Sequence, residues 1–373
     1  MLSPLEVLRR YPPHDGTIAS MLRSRVAVAG EREFIVYQGR SWSYAQVLDE
    51  VGRTAAVLGA KGVKMYDRVG VMSLNHPSSV FVFFALASLG AIMVPVNPDY
   101  GVEEARYVLL HAGVCGVICS PATLPTVRAA CDKLETMPWL MLNQEGAELP
   151  GQEALPVLSV QAQACSGPVP EPLKNPDATC VFIYTSGTTG FPKGVMHSQR
   201  SLLTAGEGFV ERMHLQPDDR LLCVLPMFHI NAIFYSLAGS LAAGATLILE
   251  PKFSASRFWA TVKETGATEV NTIAAASSIL MRRPRSEYVP GHRLQKMYGA
   301  PFDEETFRVF QQEFHVPTLI EGYGMSEIPG ALNNPFPGPH KVGSMGKPSR
   351  HPDPAVSLAE LRIADEAGQF VSV

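Results

Sequence analysis

The sequence predicts an α/β protein of two lobes with parallel-rich sheets. Three observations carry this. Short apolar runs that read as strands alternate with helical patterns along most of the chain, the rhythm of a parallel sheet covered by helices on both faces. The length, 373 residues, exceeds one ordinary domain. Two strand-like runs, Cys180–Ile183 and Thr318–Ile320, lead into glycine-rich turns, as happens at the ligand-binding carboxyl edge of an open sheet. The boundaries expected are 1–178 for a first lobe with a connecting segment, 179–330 for a second lobe, and 331–373 for the opening of a small β-rich lobe.

In the first lobe, residues 16–40 read as a short helix and a strand pair, with Phe34-Ile35-Val36-Tyr37 the clearest strand. Ser43 and Gln46 have the spacing of a capping box. Behind them Tyr44, Val47, Leu48, Val51, Ala55 and Leu58 keep one apolar helical face that stops before Gly62. Val69–Met72 is the next strand. Val80 to Val96 is apolar enough to suggest a membrane span, but it is short and is interrupted by Ser88, Gly90 and Pro95. A buried helix over 78–89, stopped by Gly90, and a buried strand over 91–96 fit it better. A helix over 103–112 and a strand over 114–119 follow. Residues 141–178 have weak periodicity and read as a connector, with a strand near Leu155–Val160.

The second half repeats the rhythm. Ser198 caps a helix running to about Met213. Strands are expected at 221–225, 246–249, 269–273, 294–298 and 318–320. Helices are expected at 229–242, 258–265, 274–281 and 303–314, the last with its acids in the first turn, where they suit the helix dipole. After Pro329 the texture turns to Pro, Gly and Asn.

Composition excludes several classes. A net charge of -4 offers neither a nucleic-acid face nor a polybasic membrane anchor. The 10 histidines are scattered, with no H-E-x-x-H. Cys115, Cys119, Cys131, Cys165, Cys180 and Cys223 show no C-x-x-C and read as free, mostly buried thiols of a reducing compartment. The N-terminus carries charge where a signal peptide needs its apolar core. A cytoplasmic protein is the expectation.

The chemistry concentrates in Tyr184-Thr185-Ser186-Gly187-Thr188-Thr189-Gly190-Phe191-Pro192-Lys193-Gly194. Glycines let the backbone approach a ligand closely, and the N–H groups of such a turn form an anion-binding concavity. Thr185, Ser186, Thr188 and Thr189 add hydroxyls, and Lys193 adds a positive charge. A flexible Gly/Ser/Thr surface loop would match the composition, but not the apolar strand at its entry and the Pro-Lys-Gly exit. Gly187 and Gly190 are too close together for G-x-x-x-x-G-K-[ST]. The run closely resembles the phosphate loop of the adenylate-forming superfamily, which includes acyl-CoA synthetases, aryl-CoA ligases, peptide-synthetase adenylation domains and luciferases.

Four further segments carry the same resemblance. Glu321-Gly322-Tyr323-Gly324-Met325-Ser326-Glu327 offers a flat ring, a hydroxyl and a hard oxygen ligand suited to Mg²⁺. It is similar to the superfamily's Tyr-Gly-x-Thr-Glu motif, with Ser326 in place of the usual Thr. The resemblance implies that Tyr323 stacks on adenine, Ser326 touches phosphate and Glu327 holds magnesium, with Gly322, Gly324 and Met325 around the nucleotide. Gly299-Ala300-Pro301 resembles the turn that lines the adenine and acyl sites. Tyr298, where the family often has a small residue, would shorten or shape the acyl pocket. Leu225-Pro226-Met227-Phe228-His229-Ile230-Asn231 resembles the Pro-x-x-His region, so His229 is expected beside the acyl carboxylate and the thiol-acceptor tunnel. Ile230, Asn231 and Ala232 are expected pocket walls. Val342–Pro348 resembles a structural Gly-x-x-Gly-x-Pro stretch.

The resemblance implies two αβαβα-type lobes plus the start of a small β-barrel lobe. It implies ATP, Mg²⁺ and coenzyme A as reactants, an AMP-forming acid–CoA ligase of the kind found in fatty-acid metabolism, and a small carboxylic acid as substrate. A homodimer is compatible with it. Around Phe253–Trp259 and His229 the chain resembles carnitine- and betaine-type CoA ligases. The family's Thr-Gly-Asp motif and its C-terminal domain with the adenylating lysine are expected beyond Val373, so the chain reads as the large N-terminal part, adenylating poorly alone. Two alternatives stay open: an adenylation domain feeding a carrier protein, and a non-catalytic nucleotide-binding protein.

Overall fold

The computed structural model describes residues 1–144, 155–165, 170–185 and 192–371. Among the described residues fifteen strands fall into two sheets. Those of the first half are β1 (Glu33–Tyr37), β2 (Arg40–Ser43), β3 (Arg68–Met72), β4 (Ile92–Pro95), β5 (Gly116–Cys119), β6 (Trp139–Leu142), β7 (Thr179–Thr185) and β8 (Lys193–Ser198). Those of the second are β9 (Arg220–Cys223), β10 (Thr246–Leu249), β11 (Glu269–Asn271), β12 (Lys296–Gly299), β13 (Thr318–Met325), β14 (Ile328–Asn333) and β15 (Lys347–Pro348). The smaller sheet has the order β6-β5-β3-β4-β7-β8 and the larger β15-β14-β13-β12-β11-β9-β10-β1-β2. Pairing is parallel through both interiors and antiparallel only at β7–β8, β1–β2 and β13–β14–β15.

The parallel strands are covered on both faces, and their sequences show it. Residues of β4, β5 and β10 are buried without alternation. The apolar stretch near residue 80 is the helix Pro77–Leu89, buried from Pro77 to Ser88 and closed by Gly90 at φ 72. That left-handed conformation suits glycine at a helix C-terminus. Among the described residues no helix is long and apolar enough to cross a membrane. The Ser43–Gln46 capping box forms as its spacing predicts, and the six cysteines are free.

The sheets do not follow the order of the chain. β1 and β2 lie in the larger sheet, and β7 and β8, from beyond the boundary at 178, lie in the smaller one. Other departures are local. Residues 155–160 are not a strand: only Val157 bridges to Leu142, and a helix over Leu158–Ala164 follows, burying Leu158 and Ala162 on one face. The expected helix over 229–242 begins at Asn231 and is π-helical to Leu237 before an α-helix over Ala238–Ala243. The helix over 303–314 likewise changes to π-helix at Val309. Strand 318–320 runs on to Met325: β13 leaves its parallel partner β12 at Glu321 and takes up β14 antiparallel. The start of a β-lobe is present as β14, β15 and an isolated Ala364–Phe370 bridge; no closed barrel forms among the described residues.

One half-buried carboxylate, on the helix Gln199–Met213, ties that helix to segments near both ends of the chain. Glu207 accepts from His14 Nε2 and His351 Nε2, each at 3.1 Å. Both rings accept a backbone N–H at Nδ1, from Gly16 and Asp353, which leaves Nε2 as the donor. Burial alone would raise the Glu207 carboxyl, but these two bonds hold it down at about 2. A carboxyl depressed in the folded state stabilises above its unfolded value and loses that contribution as pH falls toward the folded one. The loss should therefore run between pH 4.5 and about 2 and reach on the order of 3 kcal/mol. Urea unfolding of the parent and Glu207→Gln should differ at pH 6 and converge near pH 2.

Candidate functional site

The hydroxyl-rich loop joins two antiparallel strands. β7 delivers Thr185 and β8 begins at Lys193, and these two residues face each other across the ladder. Ser186, Gly187, Thr188, Thr189 and Gly190 lie outside the described residues. Both ends of the loop are anchored on the helix Val102–Ala112. Tyr107 Oη donates to Pro192 O at 3.0 Å, and His111 Nδ1 bonds Tyr184 Oη at 2.7 Å. Burial, with Tyr107 beside it, pushes the Tyr184 phenol up to about 12. The Lys193 ammonium is exposed and has no ion pair among the described residues, so it is free to meet an anion.

The second segment is a β-hairpin. Met325 pairs with Ile328, so Ser326 and Glu327 form its two-residue turn. Tyr323 is 37% exposed, enough to offer a ring edge or face to a ligand. Gly322 and Gly324 sit where no side chain fits: a Cβ would come within 2.4 Å of Tyr298 Oη and 2.6 Å of Gly330 N. The Glu327 carboxylate is exposed and has no hydrogen bond or ion pair among the described residues.

Two side chains join these parts, and sequence reading assigned neither a role. His197 on β8 bonds Ser326 O through Nε2 at 2.7 Å, while Nδ1 takes the Ser201 hydroxyl at 3.1 Å. Its ring packs edge-on against Phe234 at 4.6 Å. Burial lowers its pKa, opposed by the Ser326 bond and the Glu327 charge. His197 thus links the strand that leaves the loop, the hairpin turn and the π-helical segment after His229. Glu321, buried at the end of the parallel pairing, accepts from Phe302 N at 2.8 Å through Oε1 and bonds His340 Nε2 at 3.0 Å through Oε2. It holds the Gly299-Ala300-Pro301 turn beside β13, where Gly299 is already in register with Glu321. Only a histidine in a strand with an exposed partner turn, and an acid just before a glycine pair, hinted at these roles.

His229 heads the π-helical segment. Asn75 fixes that approach by donating to Leu225 O at 2.9 Å and accepting from Met227 N at 2.7 Å. The His229 ring packs at a tilt against Phe228, with centroids 4.3 Å apart, and makes no hydrogen bond among the described residues. Protein crowding around it lowers its pKa. No direct contact joins His229 to Lys193 or to Glu327.

Residues 22–372 match the model of the family described as AMP-binding enzyme. The chain belongs to that family. It is 28% identical over 351 residues to a sulfoacetate–CoA ligase of Cupriavidus necator, covering 91% of this chain and 66% of that protein. It is 28% identical over 363 residues to a crotonobetaine/carnitine–CoA ligase of Salmonella typhimurium, covering 92% of this chain and 70% of the relative. The chain therefore spans about two thirds of the length of these relatives. Two solved structures share its fold. The inhibitor-bound N-terminal domain of FACL13 from Mycobacterium tuberculosis matches with a TM-score of 0.82 at 24% identity, covering 95% of this chain and 86% of that one. The anthranilate CoA ligase AuaEII in complex with anthranoyl-AMP matches with a TM-score of 0.86 at 22% identity, covering 95% and 67%.

In this AMP-binding enzyme chain the His197–Ser326 bond ties the strand that begins at the exposed Lys193 to the hairpin that carries the exposed Glu327 and the accessible Tyr323. Those are groups that can hold a purine and a polyphosphate. His197→Phe keeps the packing on Phe234 but leaves Ser326 O without its donor. ATP affinity should fall roughly five- to tenfold, the worth of one hydrogen bond, as calorimetric titration would show.

Proposed function

We propose that this chain carries the nucleotide- and acid-binding part of an AMP-forming carboxylic acid–CoA ligase. The observation that carries the reading is the His197 bridge, because it ties the strand that leaves the hydroxyl-rich loop to the Ser326–Glu327 turn. A carboxylate is a poor electrophile. Its oxygen attacks the α-phosphorus of ATP, a P–O bond forms, and the bond to the departing pyrophosphate breaks. A thiol, that of coenzyme A, then displaces AMP from the acyl-adenylate. Negative charge grows on the phosphates in the first step, so preorganised donors are needed there.

In this reading Lys193, Thr185 and the hydroxyls and amides of 186–190 hold the phosphates. Tyr323 stacks on adenine, Gly299, Ala300 and Pro301 form its wall, and Ser326 donates to a phosphate oxygen. His229 sits toward the acid's carboxylate. Among the described residues no group of three or more His, Cys, Asp or Glu is arranged to hold a metal. Magnesium keeps water and phosphate oxygens and needs one or two protein carboxylates. Glu327, with no other described partner, is the residue suited to supply one. When bound, the ion would neutralise phosphate charge. The names of the relatives support small acids, not long fatty chains, as the substrate class.

Exchange of labelled pyrophosphate into ATP, run with a panel of small carboxylic acids, tests the proposal. Exchange that depends on one acid and is lost in Lys193→Ala supports it. ATP binding without any acid-dependent exchange, on this chain and on a version extended to the relatives' length, would leave only a nucleotide-binding protein.

A further inference from the structure

A cleft opens at the carboxyl ends of the small-sheet strands, apart from the residues assigned above to nucleotide and acid. It has two chambers of about 580 and 740 Å³, and Tyr37, Gln38, His76, Asn143 and Gln144 line both. Chambers of that size take small molecules. His76 follows β3 and Asn143 follows β6, where an open sheet presents its ligand-binding edge. None of the described residues in 185–197, 299–302 or 321–328 lines either chamber, and neither does His229.

Asn143 is the feature that points to a ligand. It is 2% exposed, and neither its amide oxygen nor its amide nitrogen has a hydrogen-bond partner. Its backbone N–H donates to Cys119 O at 2.9 Å, which prolongs the β5–β6 ladder and fixes the residue in the chamber wall. Leaving a buried donor and a buried acceptor unmade costs free energy, so a ligand group that supplies both is favoured there. His76 adds a donor of known position. Its Nδ1 accepts from Ser78 N at 3.1 Å, so the ring proton lies on Nε2, which has no described partner. Burial pushes its pKa down to about 4, so the ring is neutral at physiological pH.

Flat walls flank these groups. The Tyr37 ring meets His76 edge-on at 5.1 Å, and Trp42 meets Phe81 edge-on at 6.0 Å. The charges of the lining balance. Arg40, 4.9 Å over the Trp42 ring, is matched by Glu50 in the first chamber, and Lys252 by Asp99 in the second. The described lining therefore holds no surplus of cations for a phosphate. A carboxamide pairs with a ring that carries a donor and an acceptor side by side. Adenine does so at N6–H and N7, whereas guanine and hypoxanthine present two acceptors there.

We propose that the chamber lined by Asn143, His76, Tyr37 and Trp42 is a second small-molecule site, which takes a neutral adenine nucleoside or the free base. The site stands apart from the ligase reading and does not depend on it.

Calorimetric titration of adenosine into the chain saturated with magnesium and α,β-methylene-ATP, which occupies the first site, tests this. One adenosine should bind per chain. Inosine should bind about tenfold or more weakly, because its O6 meets the amide oxygen. AMP should also bind at least about tenfold more weakly, because the chamber offers its phosphate no free cation. Asn143→Leu should bring adenosine and inosine to parity and leave affinity for the ATP analogue unchanged. Its thermal midpoint should hold or rise, since two unpaired polar atoms are gone. Trp42→Ala, at a half-buried position, should weaken adenosine and inosine together by roughly tenfold through lost stacking. The proposal is overturned by an absence of adenosine binding in the saturated parent, by a preference kept in Asn143→Leu, by unchanged affinity in Trp42→Ala, or by displacement of adenosine by coenzyme A. If the ATP analogue fails to bind, the ligase reading falls, while adenosine binding that depends on Asn143 sustains this site.

Discussion

Replacing Lys296 by Met should lower the free energy of unfolding by about 3–5 kcal/mol, a cost typical of stranding a buried charge. Lys296 and Glu269 stand in register at the start of β12 and β11. The ammonium bonds Glu269 Oε1 at 2.6 Å, Met213 O at 2.7 Å and His214 O at 3.1 Å, with Asp219 Oδ2 at 3.7 Å. Burial, with Asp219 beside it, pushes the Glu269 carboxyl well up, and Lys296 is what opposes that. Glu269 Oε2 already lacks a partner. Without the lysine, a fully buried acid and two carbonyls lose their donor. The double variant Lys296→Met/Glu269→Leu should recover much of the loss, because removing both partners spares the stranded charge. Urea unfolding checks this: the single variant shifts the midpoint strongly with an unchanged slope, and the double variant returns toward the parent. Equal losses in both would mean that the pair itself stabilises the sheet.

Glu327→Gln should lower affinity for ATP in the presence of magnesium by roughly 10- to 100-fold, the worth of one contact to a charged group. Binding of AMP, which lacks the β- and γ-phosphates, should change little. The side chain lies in a solvent-exposed turn and has no described partner to lose, so stability should hold. Titrations of both nucleotides with and without magnesium distinguish this from a general loss of the hairpin, which would weaken AMP binding as well.

Much of the fold was legible in the sequence because parallel strands buried on both faces leave unbroken apolar runs, as at Ile92–Pro95 and Thr246–Leu249. The Ser43–Gln46 cap and the Gly90 stop were legible because each depends on adjacent residues. The path of β13 past Ile320 was not. It depends on an antiparallel partner that arrives after the turn, and glycines at 322 and 324 lower strand propensity. The π-helical turns after His229 were also hidden, since an apolar run does not report the hydrogen-bond register. At the site, composition and order marked the loop and the Tyr323–Glu327 run. His197, Glu321, Tyr107 and His111 were not marked, because their roles come from neighbours far away in the chain: 129 residues separate His197 from Ser326.

Hydrogen–deuterium exchange with and without ATP and magnesium tests the central claim most directly. If one nucleotide site is built from the β7–β8 loop, the Gly299–Pro301 turn and the Gly322–Glu327 hairpin, then amides in segments 185–197, 299–302 and 321–328 should slow together. They should slow to a smaller extent in Glu327→Gln. Protection of only one of these segments, or of none while ATP binds, would contradict it.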